Sequence, residues 1–233
     1  MLKPAALPFA LAVLAVLAFA DAASAARPMI TDDARLTDAG ACQLETWAHL
    51  HSNQKEWWAL PACNPGGNFE ITVGGALSQS EGVRESGALQ IQGKTLFKPL
   101  ETNGYGLGLA FGYATQPGNG QSGSPYFYVP ASWSLADDRL VLHGNLGYTR
   151  ERENQDNRLT WGLGSEIQTS ERLYVIAETY GQDKGAAFTQ VGLRYWILPN
   201  HVQIDTTWGS QFGHLRDQRW FSIGLRLISP RLF

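Results

Sequence analysis

Ten ionisable side chains fall on the polar parity of segments in which apolar and polar residues alternate. Glu45, Glu70, Glu166, Glu178 and Asp205 are acidic, Lys94, Arg194 and Arg226 are basic, and His49 and His143 lie between them in character. Carboxylates and cations that share one face can line a watery passage and select solutes by charge. They can equally pair with one another and brace an almost closed interior, and the sequence leaves both readings open. His49 and His51 share a strand face at a spacing that can bind zinc, but a catalytic zinc needs a third protein ligand. The sequence designates none, so neither a metal nor any other cofactor is expected. A nucleophile needs its base within reach. The nearest text to a histidine followed two residues later by serine is His143-Gly144-Asn145, which has no serine, and neither GxSxG nor HExxH occurs. No catalytic residue, and no enzyme activity, is expected.

The elements that carry these residues are strands. Twelve candidates can be placed, at 42–51, 56–63, 68–79, 87–99, 104–115, 125–135, 139–149, 157–168, 172–180, 186–197, 201–211 and 218–228. The clearest reads GYGLGLAFGYA, where Tyr105, Leu107, Leu109, Phe111 and Tyr113 alternate with glycine and alanine. That is a period of two, the mark of a strand between unlike environments. Its apolar face begins and ends in tyrosine, as expected of a strand that crosses two membrane interfaces. Two segments fit less well. Pro130 should bulge or break the sixth strand, and EWWALPAC alternates poorly.

Charged residues are only 17% of the 233, against 44% hydrophobic, with 25 Gly, 8 Trp, 8 Tyr and 10 Phe. That balance points to β structure with an apolar outer surface. The net charge of −3 and the lack of a basic cluster argue against a nucleic-acid partner. Met1–Ala25 reads as a secretory leader: Lys3 in the n-region, Ala5–Ala20 as the apolar run, and Ala23-Ser24-Ala25 as the cleavage site. A transmembrane helix is the other reading of that run. Export permits a disulfide. A hairpin of 42–51 and 56–63 turning at Ser52-Asn53 places Cys42 opposite Cys63 at its open end, and two buried free thiols are the alternative.

Tight connections (NPGG, LETN, ADD, TSE, PN) alternate with longer polar ones such as QPGNGQSGS and RERENQD. Short turns on one side and long loops on the other are the asymmetry of outer-membrane barrels, the turns being periplasmic. A soluble lipocalin-like barrel also alternates, with its apolar face inward. Twelve strands, however, enclose more than one apolar layer would pack. An Arg or Lys on the lipid face would cost about 2–4 kcal/mol at the midplane, so the charged parity must face the lumen.

Phe221, Ile223, Leu225 and Leu227 alternate with Ser222, Gly224 and Arg226, and the chain ends on Phe233. This resembles the closing strand of a bacterial outer-membrane barrel, which implies recognition by the barrel-assembly machinery. Arg27-Pro28-Met29-Ile30-Thr31-Asp32-Asp33-Ala34, Gly40 and Gln43-Leu44-Glu45 are similar to the opening of the outer-membrane barrel family associated with the meta-pathway of phenol degradation (MetA-type). Asp138-Arg139 through Asn145-Leu146-Gly147-Tyr148 resembles that family's middle strands. The resemblance implies an outer-membrane transporter or channel for small organic or aromatic compounds.

The expected protein is therefore all-β: an antiparallel transmembrane barrel of about twelve strands over residues 42–233. Residues 26–41 form an N-terminal periplasmic segment beside the barrel mouth. That segment either tucks into the lumen, with Asp32 and Asp33 meeting cations such as Arg194 or Arg226, or hangs as a loose tether. The expected setting is the lipid of a Gram-negative outer membrane, and the expected activity is passive passage of small solutes. A sealed barrel that binds a partner through its loops or mouth is the competing class.

Overall fold

Alternation along the chain becomes one closed sheet. The computed structural model describes residues 29–80, 83–85, 87–116, 123–151, 156–214 and 218–233. The expected leader lies outside the described residues, as do residues 26–28 and stretches of four long loops. In chain order the strands are β1 (Cys42–His51), β2 (Gln54–Cys63), β3 (Glu70–Ser80), β4 (Val83–Glu85), β5 (Leu89–Lys98), β6 (Tyr105–Thr115) and β7 (Ser124–Leu135). They continue as β8 (Leu140–Glu151), β9 (Asp156–Gln168), β10 (Leu173–Gln182), β11 (Phe188–Leu198), β12 (Val202–Gln211) and β13 (Arg219–Ile228).

Neighbours in sequence pair antiparallel, and β1 closes the ring by pairing with β13, Glu45 opposite Arg226. β4 and β5 both run along β3, with the register slipping by one residue between them. They are one barrel strand with an irregularity, so the barrel has twelve staves. Among the described strands every one but the short β4, which pairs with β3, has a neighbour on both sides, the condition for crossing a bilayer with strands.

The outer parity is mostly apolar along the described strands: Leu146 on β8 is 65% exposed and Leu163 on β9 is 60%. The inner parity holds Arg194 and Arg226, 2% and 1% exposed. Those charges are hidden because the interior is filled, not because they sit in an apolar core.

Pro130 does not bulge its strand. Pairing of β7 with β8 runs unbroken through Pro130 and Asn145, and the β6 side loses only two rungs, between Leu107↔Ala131 and Ala110↔Tyr128, without changing register. A proline removes one donor, and here the register beyond it is held by the other neighbour. Pro61 does the same between β2 and β3, where pairing passes from Ala59↔Gly75 to Ala62↔Thr72.

Candidate functional site

Antiparallel register turns the inward residues into cross-strand pairs. Arg194 on β11 lies directly opposite Asp205 on β12, Glu70 on β3 opposite Lys94 on β5, and Glu178 on β10 opposite Gln190 on β11. His49 on β1 faces Glu56 on β2, and Ser132 on β7 faces His143 on β8. Directly opposed side chains are close enough to interact, so the wall arrives already wired.

The wiring is continuous on one side. Gln203 donates to Asp205 (2.8 Å), Arg194 Nε bonds Asp205 Oδ1 (3.1 Å), and Arg194 Nη1 bonds Glu166 Oε1 (2.7 Å). His143 Nε2 lies 3.2 Å from the same Glu166 oxygen, and its Nδ1 lies 2.8 Å from Ser132 Oγ. Serine, histidine and carboxylate in series have the order of a catalytic relay. Ser132 is wholly buried, however, and its hydroxyl accepts the amide of Ala34 at 2.9 Å. It holds a backbone where a nucleophile would meet a substrate. On the other side Arg226 lies 3.8 Å from Glu45 and donates through Nε to Gln43 at 2.8 Å. His49 sits towards the long-loop end, half-buried, 3.9 Å from Glu56 and edge-on to Trp220.

Residues 29–41 run through this lumen, and the wall meets them group by group. Glu178 accepts the amides of Ile30 and Thr31 at 2.8 and 2.7 Å. Asn145 accepts the Asp32 amide (2.7 Å) and donates to the Asp32 carbonyl (2.8 Å). Lys94 Nζ lies 3.0 Å from Asp32 and 3.3 Å from Asp33, and the Tyr128 hydroxyl donates to Asp32 at 2.6 Å. Glu70 accepts from the amide and hydroxyl of Thr37 at 2.8 and 2.5 Å, and Asn64 donates to the Thr37 carbonyl at 2.6 Å. The bonds to amides and carbonyls satisfy backbone groups that would otherwise be stranded away from water.

Lys94 meets both Asp32 and Asp33, and Arg226, one of the two cations the sequence suggested, is also drawn electrostatically to Asp33. Arg194 is held by Asp205 and Glu166, and Arg226 has Glu45 and Gln43 beside it as well. Burial pushes the Asp33 carboxyl up, but Lys94 first and Arg35 second (3.7 Å) outweigh it and hold it at about 2. The wall is also cut to the segment's shape. A Cβ on Gly162 would stand 2.6 Å from Thr31 Oγ1, and one on Gly164 2.6 Å from Met29 Cε.

The remaining space is unequal. A cavity of about 20 Å³ lies among Glu45, Glu70, Lys94, Arg226 and the segment, room for about one water. Towards the long loops a cavity of about 270 Å³ remains. At the short-turn end, Cys42 and Cys63 are joined by a disulfide with their Cα atoms 4.0 Å apart. Beside it the C-terminal tail closes over Gly40, whose carbonyl accepts the Leu232 amide at 2.7 Å. Among the described residues no cluster of three or more His, Cys, Asp or Glu could hold a metal ion.

The alternation named the wall charges, and it put Asn145 on the polar face. It did not show that Ser132, Tyr128 and Asn64 also hold the segment. Ser132 meets His143 only through register, and Asn64 stands in a turn where alternation has no meaning.

Solved structures with this fold include the KdgM porin, 11% identical, with a TM-score of 0.62 over 79% of this chain and 98% of that one. The NanC porin is 9% identical, with a TM-score of 0.59 over 81% and 98%. The outer membrane protein Omp33 of Acinetobacter baumannii is 10% identical, with a TM-score of 0.50 over 80% and 96%. These likenesses establish the fold. A closed barrel with an apolar exterior satisfies its backbone while facing acyl chains, and it belongs in an outer membrane. No curated protein sequence matches the chain. A family model described as "Uncharacterised conserved protein UCP029691" matches residues 12–228, and the chain belongs to that family.

Proposed function

We propose that the protein is an outer-membrane channel for small solutes, held closed by residues 29–41. The observation that carries this reading is how the obstruction is held. It is a single extended segment that enters at the short-turn end, bound within the lumen by hydrogen bonds, by Lys94 and by the attraction of Arg226 for Asp33. The wall behind it is polar and complete without it. Glu45, His49, Glu70, Lys94, His143, Glu166, Glu178, Arg194, Asp205 and Arg226 become the lining once it leaves, and Asp32 and Asp33 are the plug's own anchors. The resemblance to the meta-pathway barrels supports small organic compounds as cargo, aromatic ones among them. One of the KdgM structures is a complex with oligogalacturonate, which supports a passage of this size for ring-bearing solutes. The alternating β13 supports recognition by the barrel-assembly machinery.

Deleting residues 27–36 should turn a nearly silent barrel into one with steady conductance in a planar bilayer. Gly162→Val, which pushes on Thr31 without shortening the chain, should raise the frequency of openings. The competing sealed barrel is favoured by the unbroken Gln203–Asp205–Arg194–Glu166–His143 contacts along the wall. It predicts that both variants stay silent while folded, and that outcome would replace the channel.

A further inference from the structure

The 270 Å³ cavity above the plug differs in kind from the wall below it. Its lining includes Gln90, Gln92, Tyr126, Tyr128, Asn145 and Thr149, with Ile30 and Thr31 of the plug as its floor. Among the described residues that line it, none has a carboxylate, ammonium, guanidinium or imidazole side chain. The Tyr126 and Tyr128 rings lie nearly parallel, with centroids 6.4 Å apart and planes 10° apart. Their hydroxyls reach Gln92 Oε1 at 3.0 and 3.2 Å.

Amides and hydroxyls both donate and accept hydrogen bonds, so this lining suits a ligand that also does both at several points. Aromatic faces suit the apolar face of a ring. A charged ligand would lose its hydration here without a counter-charge in the lining to compensate. The volume is just below the range of about 300–1,000 Å³ usual for ligand pockets, which limits the occupant to about one ring. Asn145 and the Gln92 side-chain carbonyl oxygen already have partners, which leaves Gln90, the Gln92 amide nitrogen and Thr149 to meet a ligand. A phenol has one hydroxyl to offer them, whereas a sugar ring has several.

We propose that this cavity binds one ring of an uncharged sugar, taken from the long-loop side and held above the plug. As a transit site it rests on the channel reading; as a binding site it rests on the cavity alone. The test is calorimetric titration of the full mature protein, refolded in detergent, with methyl glucoside, methyl galactoside, methyl mannoside, D-galacturonate and phenol. At least one neutral glycoside should bind tenfold or more tightly than galacturonate or phenol. Tyr126→Leu and Gln90→Leu should each weaken it about fivefold or more, by loss of a stacking face or of a hydrogen bond. Both variants should keep the circular dichroism of the folded barrel, and two separate substitutions guard against one failing to fold. Galacturonate or phenol binding as tightly, no glycoside binding at all, or glycoside binding unchanged in both folded variants would overturn the assignment. Conductance without glycoside binding sinks the site and spares the channel. Glycoside binding by a barrel that stays silent without its plug sinks the channel and spares the site.

Discussion

Lys94 stands between two carboxylates of the plug, 3.0 Å from Asp32 and 3.3 Å from Asp33, with all three largely out of solvent. Removing a buried cation leaves its partners uncompensated, at a cost of about 3–5 kcal/mol. Lys94→Met should therefore loosen the plug far more than the loss of one surface charge would. Acid should do the same to the native protein. Asp33 is held at about 2, below its ordinary 3.8. A depressed carboxylate contributes its stability fully above the unfolded value and loses it as pH falls through the folded one. Openings recorded in a bilayer should thus increase as pH drops from about 4 towards about 2. Lys94→Met should already open at neutral pH and respond less in that window. A Lys94→Met barrel as quiet as the native one would show that the lysine does not hold the plug. The sequence pointed to ion pairing here and to Arg226, which Asp33 attracts, but it did not single out Lys94. Arg194 and Arg226 were legible as inward charges, while their contacts with Asp205, Glu166, Gln43 and Glu45 exist only in the register.

At the scale of elements, the strands were legible because parity repeats: each placement from alternation lies within a few residues of an observed strand. The prolines were harder to read, because the effect of Pro130 depends on which neighbour takes over the ladder, and that is a tertiary fact. The β1–β2 hairpin was placed by its cysteines more than by its alternation, and the bridge has a mechanical role. Cys42 ends the plug segment and begins the wall, its amide donating to Ser229 Oγ at 2.9 Å. The disulfide spans a separation of 21 residues. A loop of that size restrains the unfolded chain by roughly 3 kcal/mol. Cys42→Ser with Cys63→Ser should lower the urea midpoint by a matching amount, with little change in slope. It should also raise opening frequency, because the base of the plug would no longer be pinned to both strands. An unchanged midpoint would mean that barrel closure by β13 already fixes that end.

For the molecule as a whole, the alternation gave the barrel and its facing but not the state of its lumen. Filling depends on where thirteen residues without periodicity run, and only the assembled wall shows that Glu178, Asn145, Lys94, Ser132 and Glu70 are spaced to receive them. The same wall sets what the barrel should conduct once emptied. Its buried lining carries five carboxylates, Glu45, Glu70, Glu166, Glu178 and Asp205, against three fixed cations, Lys94, Arg194 and Arg226. Deleting residues 27–36 removes Arg27, Asp32, Asp33 and Arg35, with no net charge between them, and leaves that imbalance, so the open barrel should prefer cations at neutral pH. In the plug-deleted background, Glu178→Gln should weaken the preference and Arg194→Gln should strengthen it, read as opposite shifts of reversal potential in a salt gradient. The two sites differ in a useful way. Glu178 loses the amides of Ile30 and Thr31 on plug removal and keeps the neutral Gln190 beside it. Arg194 stays clamped between Glu166 and Asp205, so its substitution exposes two carboxylates at once and should give the larger shift. Equal shifts, or shifts of the same sign, would mean that ions pass by another route than the wall described here.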